Sequence, residues 1–345
     1  MKKIIRSGVL AICATLGAGG VGAADPIILK VAHFWPPTAM SQQKVLEPWC
    51  AKIEKDSAGR MKCQIYPAMQ LGGTPPQLIQ QVQDGVADIV WTLPGYTAGR
   101  YPSMEVFELP FMTNRAEPAS RAAWEYYERF GKEDFAKVKP LAFHVHDEGY
   151  VHNNKHPITK LGDFRGLKMR APTRLTNKMI AAFGATPVAM PLPAVAEAVS
   201  KGVVDGYVLP WEVIPAVKLH EMTRFHSETD KSQPSLYTAL FIVAMNPAKY
   251  ESLPADLKKV IDANSGADFS ASIGKVWDIS APPAREKAVE RGNQFDTIPA
   301  AELIKWRRIT DKLAASWVKE MDAKGYQGQA MLDTAKALIQ KANTQ

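Results

Sequence analysis

Cysteine is scarce, with three in 345 residues. Cys13 lies in an apolar stretch near the start, which leaves Cys50 and Cys63 for a mature chain. A metal module would need more ligands at tight spacing. In an oxidising compartment the pair is instead expected to form a disulfide, worth on the order of 3 kcal/mol. The signatures of several enzyme classes are missing too. There is no G-x-S-x-G nucleophile elbow, no P-loop and no H-E-x-x-H helix. Basic residues are scattered, with no Arg/Lys tract and no aromatic platform of the RNA-binding kind, so no nucleic acid partner is expected. No apolar run approaches the roughly 20 residues that a bilayer requires.

What is present begins with an export pattern. Lys2, Lys3 and Arg6 form a positive start, Val9 to Leu16 an apolar stretch, and Val21 to Ala24 a small-residue cleavage zone. A signal peptide is expected over residues 1–24, with the mature chain starting at Ala24 or Asp25 in the periplasm. Cys13 sits inside the apolar stretch, which argues against a lipoprotein. Gly17 to Gly22 matches the dinucleotide pattern G-x-G-x-x-G, but no strand precedes it and processing discards it. Cleavage lowers the formal charge from +7 to about +4, a balance that suits an electropositive cleft drawing in anions.

About 320 mature residues exceed what one core usually serves, so two domains are expected. Ile27 to Phe34 reads as a strand, Ser41 to Lys55 as a helix, Met61 to Tyr66 as a strand, Pro75 to Gly85 as a helix and Ala87 to Thr92 as a strand. That β-α-β-α-β rhythm implies a parallel sheet covered by helices. It recurs from Leu167: strand to Ala171, helix Thr176 to Phe183, strand Thr186 to Met190, helix Ala194 to Lys201, strand Val204 to Val208. Ser235 to Met245 reads as a strand crossing back to the first unit. Helices are expected over Leu253 to Asn264, over Val276 to Arg291 with an interruption at Pro282 and Pro283, over Ala300 to Lys324, and over Ala330 to Ala342. Leu303, Trp306, Leu313 and Trp317 share one face and read as core.

Arg170 closes the short apolar strand and is braked by Pro172. A receptor for a carboxylate needs such a group: a fixed, permanently charged fork that engages both oxygens of the anion. The histidines offer a rival chemistry. His144 and His146 share a face of the strand Leu141 to His146, and His152 and His156 follow, with Asp147 and Glu148 between. A zinc-dependent exported hydrolase could use such a cluster. The preferred reading has His146 or His152 donating a hydrogen bond to a substrate oxygen, with His144 and His156 on the surface. Glu105 and Glu108 fall in a loop-like segment, Pro102 to Pro110, where exposed charge is ordinary.

Four segments in order carry a more specific likeness: Leu71-Gly72-Gly73 followed by Gly85-Val86-Ala87-Asp88; Gly166-Leu167-Lys168-Met169-Arg170; Gly184-Ala185-Thr186-Pro187-Val188; and Gly202-Val203-Val204-Asp205-Gly206. The chain resembles the extracytoplasmic solute receptor of a TRAP transporter, the tripartite ATP-independent periplasmic type, over essentially its whole mature length. The resemblance implies a two-lobed α/β periplasmic binding protein fold with a ligand cleft between the lobes and a helical C-terminal part. Lobe I is expected over residues 25–148 plus 238–281, and lobe II over 149–237 plus 282–345. It also implies a protein that needs no cofactor, performs no catalysis, and delivers an organic acid to membrane permease subunits; delivery by diffusion favours a monomer. In the family the principal carboxylate ligand is the arginine of this strand, here Arg170.

Departures from the family sharpen the ligand. Where many dicarboxylate and sialic-acid receptors carry a second arginine after a Gly-aromatic pair, Gly149 and Tyr150 lead to Val151 and His152. Where they carry an asparagine, Asp205 and Gly206 lead through Tyr207 to Trp211 and Glu212. A second buried carboxylate would lack a partner, so an aromatic monocarboxylate fits better. A C4-dicarboxylate or keto acid receptor, an ABC-type binding protein and the exported metal-dependent hydrolase are the alternatives. Strand ends are where open α/β sheets bind ligands. The expected walls are therefore Trp35, Trp91, Tyr96, Tyr150, Tyr207 and Trp211, with Arg174 a possible second positive charge.

Overall fold

The computed structural model describes residues 25–230 and 232–344. The leader expected over residues 1–24 lies outside the described residues. Eleven strands form two sheets. The first four are β1 (Ile27–His33), β2 (Met61–Tyr66), β3 (Ile89–Thr92) and β4 (Lys139–Val145). Then come β5 (Gly149–Asn153), β6 (Lys168–Ala171), β7 (Thr186–Ala189), β8 (Gly206–Pro210) and β9 (Phe225–Glu228). The last two are β10 (Leu240–Met245) and β11 (Gln294–Thr297).

One lobe is built on the sheet β2-β1-β3-β10-β4, the other on β11-β9-β5-β8-β6-β7. In each, three strands joined by helical crossovers run parallel, and an antiparallel strand lies beside them: β10 against β3, and β5 against β8. β10 is apolar and buried along its whole length, the pattern of a central strand covered on both faces. In β1 the fully buried Leu29 and Val31 alternate with Lys30, whose backbone N–H donates to Asp88 at 2.7 Å. The helix Arg174–Phe183 stops at Gly184, whose φ of +99° is a left-handed position that suits glycine. Cys50 and Cys63 are bonded, tying the helix Glu47–Asp56 to β2 at the sheet's edge.

The structure departs from the sequence reading in three places. The helix Ala267–Glu290 runs unbroken through Pro282 and Pro283. Packing against the helix Ala116–Tyr126 holds it. Gly274 lies so close to the backbone of Ala116 that no side chain would fit, and the Asp278 carboxylate accepts the N–H groups of Ala116 and Glu117 at 2.7 and 3.0 Å. Tertiary contact here outweighs a strong local preference.

His144, expected on the surface, is fully buried. Its Nε2 accepts the indole N–H of Trp91 at 2.8 Å and its Nδ1 faces the Val145 carbonyl at 3.2 Å, so a neutral ring joins the core. The segment carrying Glu105 and Glu108 is a buried 3₁₀ turn, Pro102–Glu108, and both carboxyl groups point into the seam between the lobes. Three strands, β5, β9 and β11, and the helix Ala116–Tyr126 are additions to the elements read from sequence.

Candidate functional site

The carboxyl ends of the parallel strands from the two sheets face each other across a cavity of about 310 Å³ of empty space. Trp35 follows β1, Leu93 and Tyr96 follow β3, and His146 follows β4. Arg170 lies in β6 with Pro172 just beyond it, and Leu209 and Pro210 end β8. Tyr237, Ala239 and Phe241 come from the approach to β10 and its start. This is where crossover topology leaves strand ends uncovered. Most of the wall is aromatic or aliphatic.

Arg170 is 1% exposed. Its Nε donates to the Met190 carbonyl at 3.0 Å and its Nη1 to the Val208 carbonyl at 3.3 Å. Among the described residues no carboxylate forms an ion pair with it. Burial pulls its pKa down from the usual arginine value, while Tyr96 and Tyr237 beside it act the other way. Guanidinium nonetheless stays protonated in proteins. An unpaired buried cation is costly, and an anion entering the cavity would remove that cost.

Of the expected residues, the structure brings Trp35, Tyr96, His146 and Arg170 to this cavity. His146 presents its ring there, but both nitrogens are engaged: Nδ1 with the Asp147 carbonyl at 2.6 Å, and Nε2 as acceptor from Ala239 N–H at 2.9 Å. Burial lowers its pKa to about 4, so it is neutral. Trp91 packs behind the wall at a tilt, 4.7 Å from Trp35 between ring centres. His152 does not line the cavity and sits behind Leu209, which does. It donates from Nε2 to the Leu209 carbonyl at 3.0 Å and accepts at Nδ1 from His226 at 2.8 Å. Tyr207 packs on His152 and bonds Thr223.

Tyr150 and Trp211 line a separate, polar pocket of about 640 Å³. Tyr150 donates to Glu148, and Trp211 donates to Glu228 at 2.7 Å. Arg174 is spent on Glu105 and Glu320. His156 is half-buried, its Nδ1 near the Pro157 carbonyl. The zinc alternative finds no ligand set, since among the described residues no three His, Cys, Asp or Glu side chains are grouped to hold a metal ion.

The cavity also recruits Phe34, Leu192, Val213, Tyr237 and Phe241, which the sequence reading did not single out. Phe34 adjoins Trp35, and Tyr237 lies in the expected crossing strand, so position along the chain was the available signal. The Tyr237 hydroxyl is buried without a hydrogen-bond partner among the described residues. Glu108 accepts from the Leu240 N–H at 3.3 Å and bonds Thr173 across the seam. Burial and the neighbouring Glu105 push its pKa up to about 8.

Comparison with known proteins agrees with this geometry. A TRAP solute-binding protein from Rhodoferax ferrireducens T118, solved with copurified benzoate, is 46% identical, superposes with a TM-score of 0.91, and the match covers 92% of this chain and 99% of that one. A marine metagenome TRAP solute-binding protein described as specific for aromatic acid ligands, solved with 3-hydroxybenzoate, is 45% identical at a TM-score of 0.90 over the same shares. One from Bordetella bronchiseptica with bound (R)- and (S)-mandelate is 27% identical at 0.85, again over 92% and 99%. The family described as bacterial extracellular solute-binding protein, family 7, matches residues 31–320. With two sheets facing one cavity and an unpaired arginine inside it, the chain belongs to this family of solute-binding receptors.

Proposed function

We propose that this protein is the periplasmic receptor of a TRAP transporter for an aromatic monocarboxylate of the benzoate, hydroxybenzoate or mandelate class, and that it hands its ligand to membrane permease subunits. The observation that carries the reading is Arg170, a buried cation with no carboxylate partner, facing a wall of Phe34, Trp35, Tyr96, Tyr237 and Phe241. Guanidinium takes the two carboxylate oxygens and the wall takes the ring. The three neighbours solved with aromatic acids support the same ligand class.

The protein works by closure and release, with no chemical step. Both lobes contribute to the lining, so the ligand favours the closed form by the contacts that only the closed form makes. Water leaves as the lobes meet, which strengthens the ion pair. The protein acts as a monomer and exposes its permease-docking surfaces in one register when closed. Calorimetric titration with benzoate, 3-hydroxybenzoate, mandelate and succinate tests the reading. Tight binding of at least one aromatic acid with weak or absent succinate binding is expected. Micromolar succinate binding with no response to the aromatic acids would overturn it.

A further inference from the structure

The receptor reading leaves open how a single arginine holds a carboxylate without the second cation of dicarboxylate receptors. The cavity carries two phenol hydroxyls whose hydrogens have no acceptor among the described residues. The Tyr96 oxygen accepts the Leu192 N–H at 3.1 Å and lies beside the Arg170 guanidinium. Its own O–H is left to donate. The Tyr237 hydroxyl is buried, lines the same cavity and has no partner among the described residues.

Arg170, Tyr96 and Tyr237 lie within electrostatic range of one another. Of the guanidinium's five N–H groups, two are committed, to Met190 and Val208. The remaining N–H groups and the two phenol hydrogens are donors for the lone pairs of one carboxylate.

We infer that Tyr96 and Tyr237 are ligand-binding residues that complete the Arg170 site as neutral donors, and that they set its preference for a single carboxylate. This rests on the receptor reading above and deepens it. The site has one positive charge, so one carboxylate neutralises it. A second would meet no counter-charge. The groups near Tyr237, Asp147 and Glu212, are carboxyls and offer it none.

Tyr237 is also held in place before ligand arrives. Its ring packs edge-on against His146 at 5.1 Å, and it fills the space over Gly149, where any side chain would overlap ring atoms. His146 follows β4 of one sheet and Gly149 opens β5 of the other, so the hydroxyl is positioned at the crossing between the lobes. Neither phenol ionises in the working range, because burial raises both pKa values above that of a free tyrosine.

The test is benzoate and benzamide titration of the wild type, Tyr96→Phe, Tyr237→Phe and the double variant, with melting curves of each ligand-free protein. Each single variant is expected to bind benzoate about 5- to 20-fold more weakly, and the double variant at least about 50-fold, by loss of charge-assisted hydrogen bonds. The ratio of benzoate to benzamide affinity falls in step. Ligand-free Tyr237→Phe should melt at the same temperature or higher, since it loses an unsatisfied buried hydroxyl. Lower melting with unchanged benzoate affinity would mean a purely structural role and would overturn the inference, as would single variants within twofold of wild type. A wild type that binds none of the aromatic acids overturns the receptor reading and this inference with it. Wild-type binding with indifferent Phe variants overturns this inference alone.

Discussion

Arg174 and Glu105 join the two lobes through a two-point ion pair: Arg174 Nε donates to Glu105 Oε1 at 3.0 Å, and Nη2 reaches Oε2. Glu105 is buried beside the cavity seam, and Arg174 also engages Glu320, which Lys178 holds from the same helix as Arg174. Parting the lobes breaks the pair. Glu105→Gln should therefore weaken ligand binding about 3- to 10-fold by destabilising the closed form, with a coupling to Arg174→Gln of about 1 kcal/mol, because Arg174 is partly screened by solvent. Double-mutant titrations with benzoate read this, and additive losses would show that the pair does not act as a clasp.

Arg170→Ala should cost at least about 100-fold in benzoate affinity, and Arg170→Lys about 10-fold or more, since lysine keeps the charge and loses the fork. Calorimetry decides. Full binding by the lysine variant would mean that charge alone is read. Ligand-free Arg170→Met is expected to melt higher than wild type, because the unpaired buried cation is gone.

Gly95 sets how closely the lobes approach. A Cβ there would lie 2.6 Å from the Thr173 methyl and 2.8 Å from Glu108 Oε1, and its φ is open to any residue. Gly95→Ala should leave ligand-free stability within about 0.5 kcal/mol and weaken binding about 10-fold by holding the lobes apart. Small-angle scattering with saturating ligand would show a larger radius than wild type. An unchanged affinity would place the close approach outside the closing motion.

Acid should unfold the protein early. His33, His144, His146, His152 and His226 are all buried, and burial lowers their pKa values to about 4, 3, 4, 3 and 2. Below the unfolded value near 6.5 the unfolded chain binds more protons than the fold, so each histidine removes about 1.4 kcal/mol of stability per pH unit as pH falls toward its folded value. Buried Glu108, Asp147 and Glu212 run the opposite way, their pKa values being raised by burial. His226→Asn should therefore make the slope of urea-unfolding free energy between pH 6 and pH 4.5 shallower by about 1.4 kcal/mol per pH unit. An unchanged slope would show that His226 is already charged in the fold.

Replacing Cys50 and Cys63 by serine should lower stability by about 3 kcal/mol while leaving benzoate affinity unchanged, because the bond closes a short loop at the outer edge of the first sheet. Urea unfolding and titration together check this. A parallel loss of affinity would tie that edge to the cavity.

Much of the architecture was legible along the chain. The strand Met61–Tyr66 and the helices Ala300–Ala323 and Gly328–Asn343 could be read because period-2 and period-3.6 patterns are local properties of a half-buried element. The place of Arg170 in a short strand just before a proline was legible for a similar reason, since it is written in five residues. β9 and β11 were not, since FHSE and QFDT are four residues long and become strands only by pairing with each other and with β5.

The aromatic residues divide in the same way. Sequence placed Trp35, Trp91, Tyr96, Tyr150, Tyr207 and Trp211 at strand ends or at the crossing, and all looked alike as walls. Packing sent Trp35 and Tyr96 to the cavity, Trp91 to a bond with His144, Tyr207 to Thr223, and Tyr150 and Trp211 to another pocket. Residue order established two α/β units, a cysteine pair suited to a disulfide and the strand-end place of Arg170, because these depend on neighbours a few positions away. Which hydroxyls and rings surround that arginine depended on how two sheets meet, and the contacts that decide it, such as Tyr237 over Gly149, join residues far apart in the chain.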